Sequence, residues 1–138
     1  LLPFSTLFRS VTADERFSRI TVVCSGDELI LEQITNQLAK LVDVRDIKIL
    51  EPDNRVCHEL MMIKVAAKPE QRQGLISIAD VFHAKVADVS VDSMILEMTG
   101  NHNKLEAFLE LMGDYEILEL ARTGMTGLSR GSQDVTYF

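Results

Sequence analysis

The chain has 138 residues, a formal net charge of −7, and 46% hydrophobic and 25% charged residues. That balance is ordinary for a folded domain and excludes intrinsic disorder. The negative charge lacks the basic footprint of a nucleic-acid binder, and no run of about 20 apolar residues could span a membrane.

The length suits one compact domain or two small ones. Cys24 and Cys57 are too few for a disulfide framework and lie in apolar, strand-like runs, so they read as reduced, buried thiols of a cytoplasmic protein. The start lacks the layout of a secretory signal.

Leu1 to Ser10 differs in texture from the rest of the chain, and Thr6 to Ser10 resembles a translated frame of a sequencing adapter. Residues 1–10 are therefore expected as a non-native or disordered leader, with native sequence starting near Val11. Arg19 to Cys24 is short and β-branched and predicts a strand. Ser25-Gly26-Asp27 supplies a turn with helix-capping residues. From Glu28 to Val42 the apolar positions Leu31, Ile34, Leu38, Leu41 and Val42 form the stripe of an amphipathic helix. Asp46 to Leu50 alternates and predicts a strand stopped by Pro52.

The polar segment Glu51 to Arg55 is the candidate domain boundary. His58 to Ala67 predicts a buried strand, and Pro69 suits the first turn of a helix whose stripe is Leu75, Ile78, Ala79 and Phe82. Val86 to Val91 and Ser93 to Thr99 predict a hairpin turning near Asp92. Asn103 to Met112 predicts a helix facing inward through Leu105, Phe108, Leu109 and Met112, and Ile117 to Ala121 a strand. Gly124, Gly127 and Gly131 predict a loop-rich ending. The domains expected are 11–52 and 56–132, followed by a tail at 133–138.

An internal repeat organises this order. Ile20 to Asp27 lines up with Met94 to Asn101 at an offset of 74 residues (94 − 20). Ser25-Gly26-Asp27 then matches Thr99-Gly100-Asn101 in chemistry, and Leu31, Ile34 and Leu38 fall on Leu105, Phe108 and Met112. A strand, helix and strand precede the second copy, so its full order is βαββαβ, the ferredoxin-like unit. The fold class expected is α+β with two such units, the first lacking its opening strand and helix. That loss would leave the Arg19 to Cys24 strand with an unpaired edge and an uncovered apolar face.

No pattern is specific for catalysis: GxSxG, HExxH, Walker and CxxC motifs are all missing. Cys57-His58 is a weak metal pair, because neighbours on a strand point to opposite faces. His83 reads as solvated near a helix C-terminus and His102 as a surface residue at a helix start. Asp27-Glu28 could form an acid–base pair, but both residues suit a helix N-terminus without it. Gly124 to Gly131, with Arg122 and Arg130 nearby, could cradle a phosphate. Phosphate loops normally lead into a helix, and too little chain comes after this one to form it, so a tail packing on a partner is the better reading. Met61, Met62, Met94, Met98 and Met112 read as core.

The run Ser18 to Leu50 resembles the end of the regulatory domain of acetolactate synthase small subunits. So do HELMMIKVAA, ADVF…DVSVDSMILEMTG, KLEAFLELM and ARTG…GLSRG, in the family's order. The resemblance implies a truncated ACT domain followed by a complete ferredoxin-like domain. It implies a homodimeric regulator of a large catalytic subunit, acting in valine, leucine and isoleucine biosynthesis. Thiamine diphosphate, FAD and Mg would belong to that catalytic subunit, and this chain would hold no cofactor, metal or catalytic residue. Valine or a related amino acid would be the feedback effector in the full-length form. The family's effector loop, with an Asn and a Gly-Val-Leu segment, has no counterpart here, so effector-binding residues remain unknown and this chain is not expected to bind valine normally. Rival readings are an acylphosphatase-type hydrolase, which needs an Arg and Asn on a phosphate loop, and a metal-sensing or other small-molecule-sensing domain, the former needing a His/Cys cluster.

Overall fold

The computed structural model describes residues 4–133 and 135. The chain divides into two units, one of Leu1–Val56 with Gly127–Phe138, the other of Cys57–Thr126. The division falls just after the polar segment expected as the boundary. The last stretch groups with the first unit, whereas sequence alone carries the second domain to 132. Most of the expected tail, 134 and 136–138, lies outside the described residues.

The first unit holds β1 (Phe4–Val11), β2 (Ser18–Cys24) and α1 (Glu28–Ala39). β1 and β2 pair antiparallel, from Phe4 opposite Cys24 to Val11 opposite Ser18. Of the expected non-native or disordered leader at 1–10, this corrects the disordered reading: from Phe4 onward the backbone is laddered to β2. Residues 1–3 lie outside the description. The loop between the strands is closed by Thr12, whose hydroxyl donates to the carbonyls of Asp14 and Phe17. Arg16 and Arg45 both lie over the Phe17 ring, each 5.7 Å from its centroid.

Two further expectations need correction here. α1 stops at Ala39, leaving Leu41 and Val42 56% and 96% exposed rather than on the helix stripe. Asp46 to Leu50 forms no strand. Its alternation marks two faces, but alternation does not by itself build a ladder, and among the described residues β2 ladders with β1.

The second unit is built on β3 (Arg55–Ala66), α2 (Arg72–Phe82), β4 (Lys85–Val89), β5 (Ser93–Gly100), α3 (His102–Leu111) and β6 (Ile117–Arg122). The strand order is β4-β5-β3-β6, all antiparallel, with β3 central. This is the expected βαββαβ order with its first strand in the middle of the sheet. The segment 126–129, expected as loop, is a strand, β7 (Thr126–Ser129), pairing with β3. Its two-residue alternation is masked by the small residues Thr126 and Gly127.

The core lies between this sheet and the two helices. Met61, Ile63 and Val65 from β3 and Met94, Leu96 and Met98 from β5 meet Leu75 and Ala79 of α2 and Leu105 and Phe108 of α3. Phe82 meets Phe108 edge to face at 5.4 Å. The apolar run of β3 predicts a buried strand, yet only alternate residues are covered. Met62 is therefore 39% exposed, which corrects its assignment to the core: its neighbour Met61 takes the helix side, so period two puts Met62 on the other. Arg72, at the start of α2, donates to the carbonyls of Ser90 and Val91 and ties the helix to the β4–β5 turn.

Candidate functional site

Each copy of the repeat places an Asx residue at a strand-to-helix junction. The Asp27 carboxylate accepts from the Ile30 N–H at 3.1 Å, and the Asn101 side chain accepts from the Lys104 N–H at 2.9 Å. Asp27 thus closes the N-terminus of α1, the structural alternative to acid–base work. The preceding glycines are matched as well. A Cβ on Gly26 would lie 2.8 Å from Ile30 Cδ1, and one on Gly100 would lie 2.7 Å from Lys104 Cδ. Gly26 also sits at φ +154°, which a side chain would strain.

The second assembly is ionic. Glu59, only 4% exposed on β3, accepts from Arg122 Nε at 2.5 Å, while Arg122 donates through Nη1 to Glu106 of α3 at 2.8 Å. These carboxylates hold the guanidinium above its ordinary pKa, and the bond from Arg122 holds Glu106 below the usual carboxylate range. Beside Arg122, the Thr123 hydroxyl accepts from the Leu60 N–H at 3.2 Å. Arg122 is thereby committed to a clamp joining β3, β6 and α3, and the glycine-rich segment does not draw on it for a phosphate. Sequence reasoning missed Glu59, because its partner is 63 residues away and only the sheet register joins them.

The remaining candidates are dispersed. Cys24 and Cys57 are free thiols, half-buried rather than fully buried as expected, and they belong to different units. Cys57 is half-covered while His58 is exposed, the alternation that argues against a metal pair. His83 caps the C-terminus of α2 at φ +55°, and His102 opens α3; both are exposed. Among the described residues no three His, Cys, Asp or Glu side chains are grouped as a metal site. Nor is any helix among them long and apolar enough to cross a membrane.

What the second unit does offer is a surface. Opposite the helices, its sheet presents Leu60 and Met62, 37% and 39% exposed, beside the ion pair of Lys64 with Glu119 at 3.6 Å. Apolar residues framed by charge suit protein contact better than bond chemistry.

The family model described as the small subunit of acetolactate synthase matches residues 58–131. A probable acetolactate synthase small subunit of Methanothermobacter thermautotrophicus is 46% identical over 84% of this chain and 70% of its own length. The acetolactate synthase small subunit of Mycolicibacterium smegmatis is 43% identical over 90% of this chain and 73% of its own. The crystal structure of the Thermotoga maritima acetolactate synthase small subunit superposes with a TM-score of 0.88 at 33% identity, covering 94% of this chain and 81% of that one. With sequence matches running through both units and a shared fold, the chain belongs to the acetolactate synthase small subunit family.

Proposed function

We propose that this chain is a regulatory subunit that docks on the thiamine-diphosphate-dependent catalytic subunit of acetolactate synthase and raises its activity. Pairing with a second copy of the chain completes the reading, while feedback inhibition by valine or a related branched-chain amino acid belongs to a form that carries the family's effector loop, which has no counterpart here. The supporting observation is the family match, which aligns relatives named as small subunits over 84% and 90% of the chain. Bond-making, the condensation of pyruvate with pyruvate or 2-oxobutyrate, belongs to the partner. This chain contributes binding energy. Covering Leu60 and Met62 against another protein removes apolar area from water at roughly 25 cal/mol per Å². Feedback in that form then needs a coupling free energy of about 1–3 kcal/mol between effector and catalytic site, so valine must bind one arrangement of the complex better than the other.

The test is co-purification with the cognate catalytic subunit, then acetolactate formation with and without this chain and with and without valine. Co-elution and a raised rate support regulation. A catalytic subunit that ignores the chain, or acetolactate made by the chain alone, overturns it. A complex with this chain that stays insensitive to valine supports the placing of the effector loop outside it, and valine sensitivity conferred by this chain overturns that part. Sedimentation of the purified chain checks the pairing.

A further inference from the structure

The chain has eight arginines, and seven of them are engaged within the fold. Arg9 holds the Ser18 hydroxyl, Arg16 pairs with Asp14, Arg45 stacks on Phe17, and Arg19, Arg55 and Arg72 bond backbone carbonyls. Arg122 is spent on Glu59 and Glu106. Among the described residues only the guanidinium of Arg130 has no partner. It lines a pocket of about 450 Å³ with Asn54, Gly131, Ser132 and Gln133, all within the first unit. Among the described residues no carboxylate lines this pocket, although the chain carries a net charge of −7.

The backbone shapes the pocket. The Arg130 N–H donates to the Asn54 carbonyl at 3.0 Å and pins the loop to the 3-10 turn Pro52–Asn54. Gly131 then takes φ +76°, with open space where a Cβ would stand, so this glycine serves conformation and not clearance. A left-handed residue next to a right-handed one turns successive N–H groups toward one side, as in an anion nest, and Gly131 supplies the left-handed member. Among the described residues the N–H groups of Gly131, Ser132 and Gln133 have no acceptor.

We propose that this pocket binds a phosphate-type oxyanion, with Arg130 supplying paired charge-assisted hydrogen bonds and the Ser132 hydroxyl and the loop N–H groups completing the shell. A guanidinium fork matches two oxygens of such an anion at once. The site lies in the chain's own loop.

The test is a titration of the full ¹⁵N-labelled chain with inorganic phosphate at constant ionic strength, read by amide shifts. Glycerol phosphate distinguishes a phosphate monoester from free phosphate, and acetate is the carboxylate arm. Saturable millimolar shifts confined to 131–133 and their surroundings are expected. Arg130→Gln, at an exposed position outside the core, should weaken them at least about tenfold, the loss of one charge-assisted pair. The proposal fails if no amide of the loop saturates, if acetate acts equally, or if Arg130→Gln binds as well as the parent.

Discussion

Phe108→Ala should cost the second unit a large share of its stability. The ring is 0% exposed inside a cluster of twelve buried side chains, and it stands edge to face with Phe82 at 5.4 Å. Truncating a sealed phenylalanine costs about 3–5 kcal/mol, of which the aromatic pair supplies roughly 0.5–1.5. Domains of this size hold about 5–15 kcal/mol in all. With a urea slope of about 1 kcal/mol per M, the loss moves the unfolding midpoint by roughly 3 M or more at unchanged slope. Its repeat counterpart, Ile34, is 8% exposed and stands outside that cluster, so Ile34→Ala should cost about 2 kcal/mol, the low end for such a truncation. Urea unfolding read by circular dichroism gives the magnitudes, and hydrogen exchange assigns them to elements. Phe108→Ala should accelerate exchange throughout β3, β5 and α3, Ile34→Ala only in β2 and α1. A loss below about 1 kcal/mol for Phe108→Ala, or identical exchange patterns for the two variants, would refute the assignment of the core.

Gly74 should resist the usual gain of about 1 kcal/mol from Gly→Ala inside a helix. The added Cβ would lie 2.8 Å from the Tyr115 hydroxyl, so thermal melts should show the gain only when Tyr115→Phe removes that oxygen. Asp27→Ala and Asn101→Ala each remove a side-chain acceptor from a helix N-terminus and should each lower stability by about 1 kcal/mol in urea unfolding. Glu106 is held below the usual carboxylate range by Arg122, so its contribution is present above the ordinary carboxylate pKa and is lost as pH falls through the lowered folded value. Midpoints measured across the acid range should therefore show a weaker acid dependence in Glu106→Gln than in the parent.

The parts of this structure legible in the sequence are those decided locally. The caps at Asp27 and Asn101 and the helix stripes through Leu105 and Phe108 arise from spacing, and the 74-residue repeat places β2–α1 and β5–α3 in matching roles. What escapes depends on partners distant in sequence. Phe4 to Val11 has no clean alternation, yet β2 completes its hydrogen bonds. Asp46 to Leu50 has the alternation and is not a strand. The Glu59–Arg122 clamp exists because β3 and β6 pair with Met61 opposite Arg122, a register that no local pattern states. The same limit bears on the pocket: Arg130 and Asn54 meet through one backbone bond across 76 residues (130 − 54).

The repeat also separates what a strand–turn–helix determines from what its surroundings add. Met94, Leu96 and Met98 are 0%, 0% and 4% exposed, whereas Ile20, at the position matching Met94, is 56% exposed. Val22 and Cys24 are only half-covered. On the helices, Leu105 and Met112 are sealed while Leu31 and Leu38 are half-open. The residues are equally apolar, so composition does not explain the difference. In the second unit Met61, Ile63 and Val65 of β3 and Leu75 and Ala79 of α2 share one cluster with those positions, whereas among the described residues β2 lies in a two-stranded sheet with β1. Burial is thus conferred by the neighbouring strand and helix. A sealed position such as Met94 has no apolar area left to gain, while covering Ile20 still returns roughly 25 cal/mol for each Å² removed from water. Low local stability and unspent apolar area go together, and elements that move on binding are drawn from that end of the range. Covering Ile20 in the first unit, like covering Leu60 and Met62 in the second, therefore still returns free energy on binding, whereas the sealed core positions have none left to give.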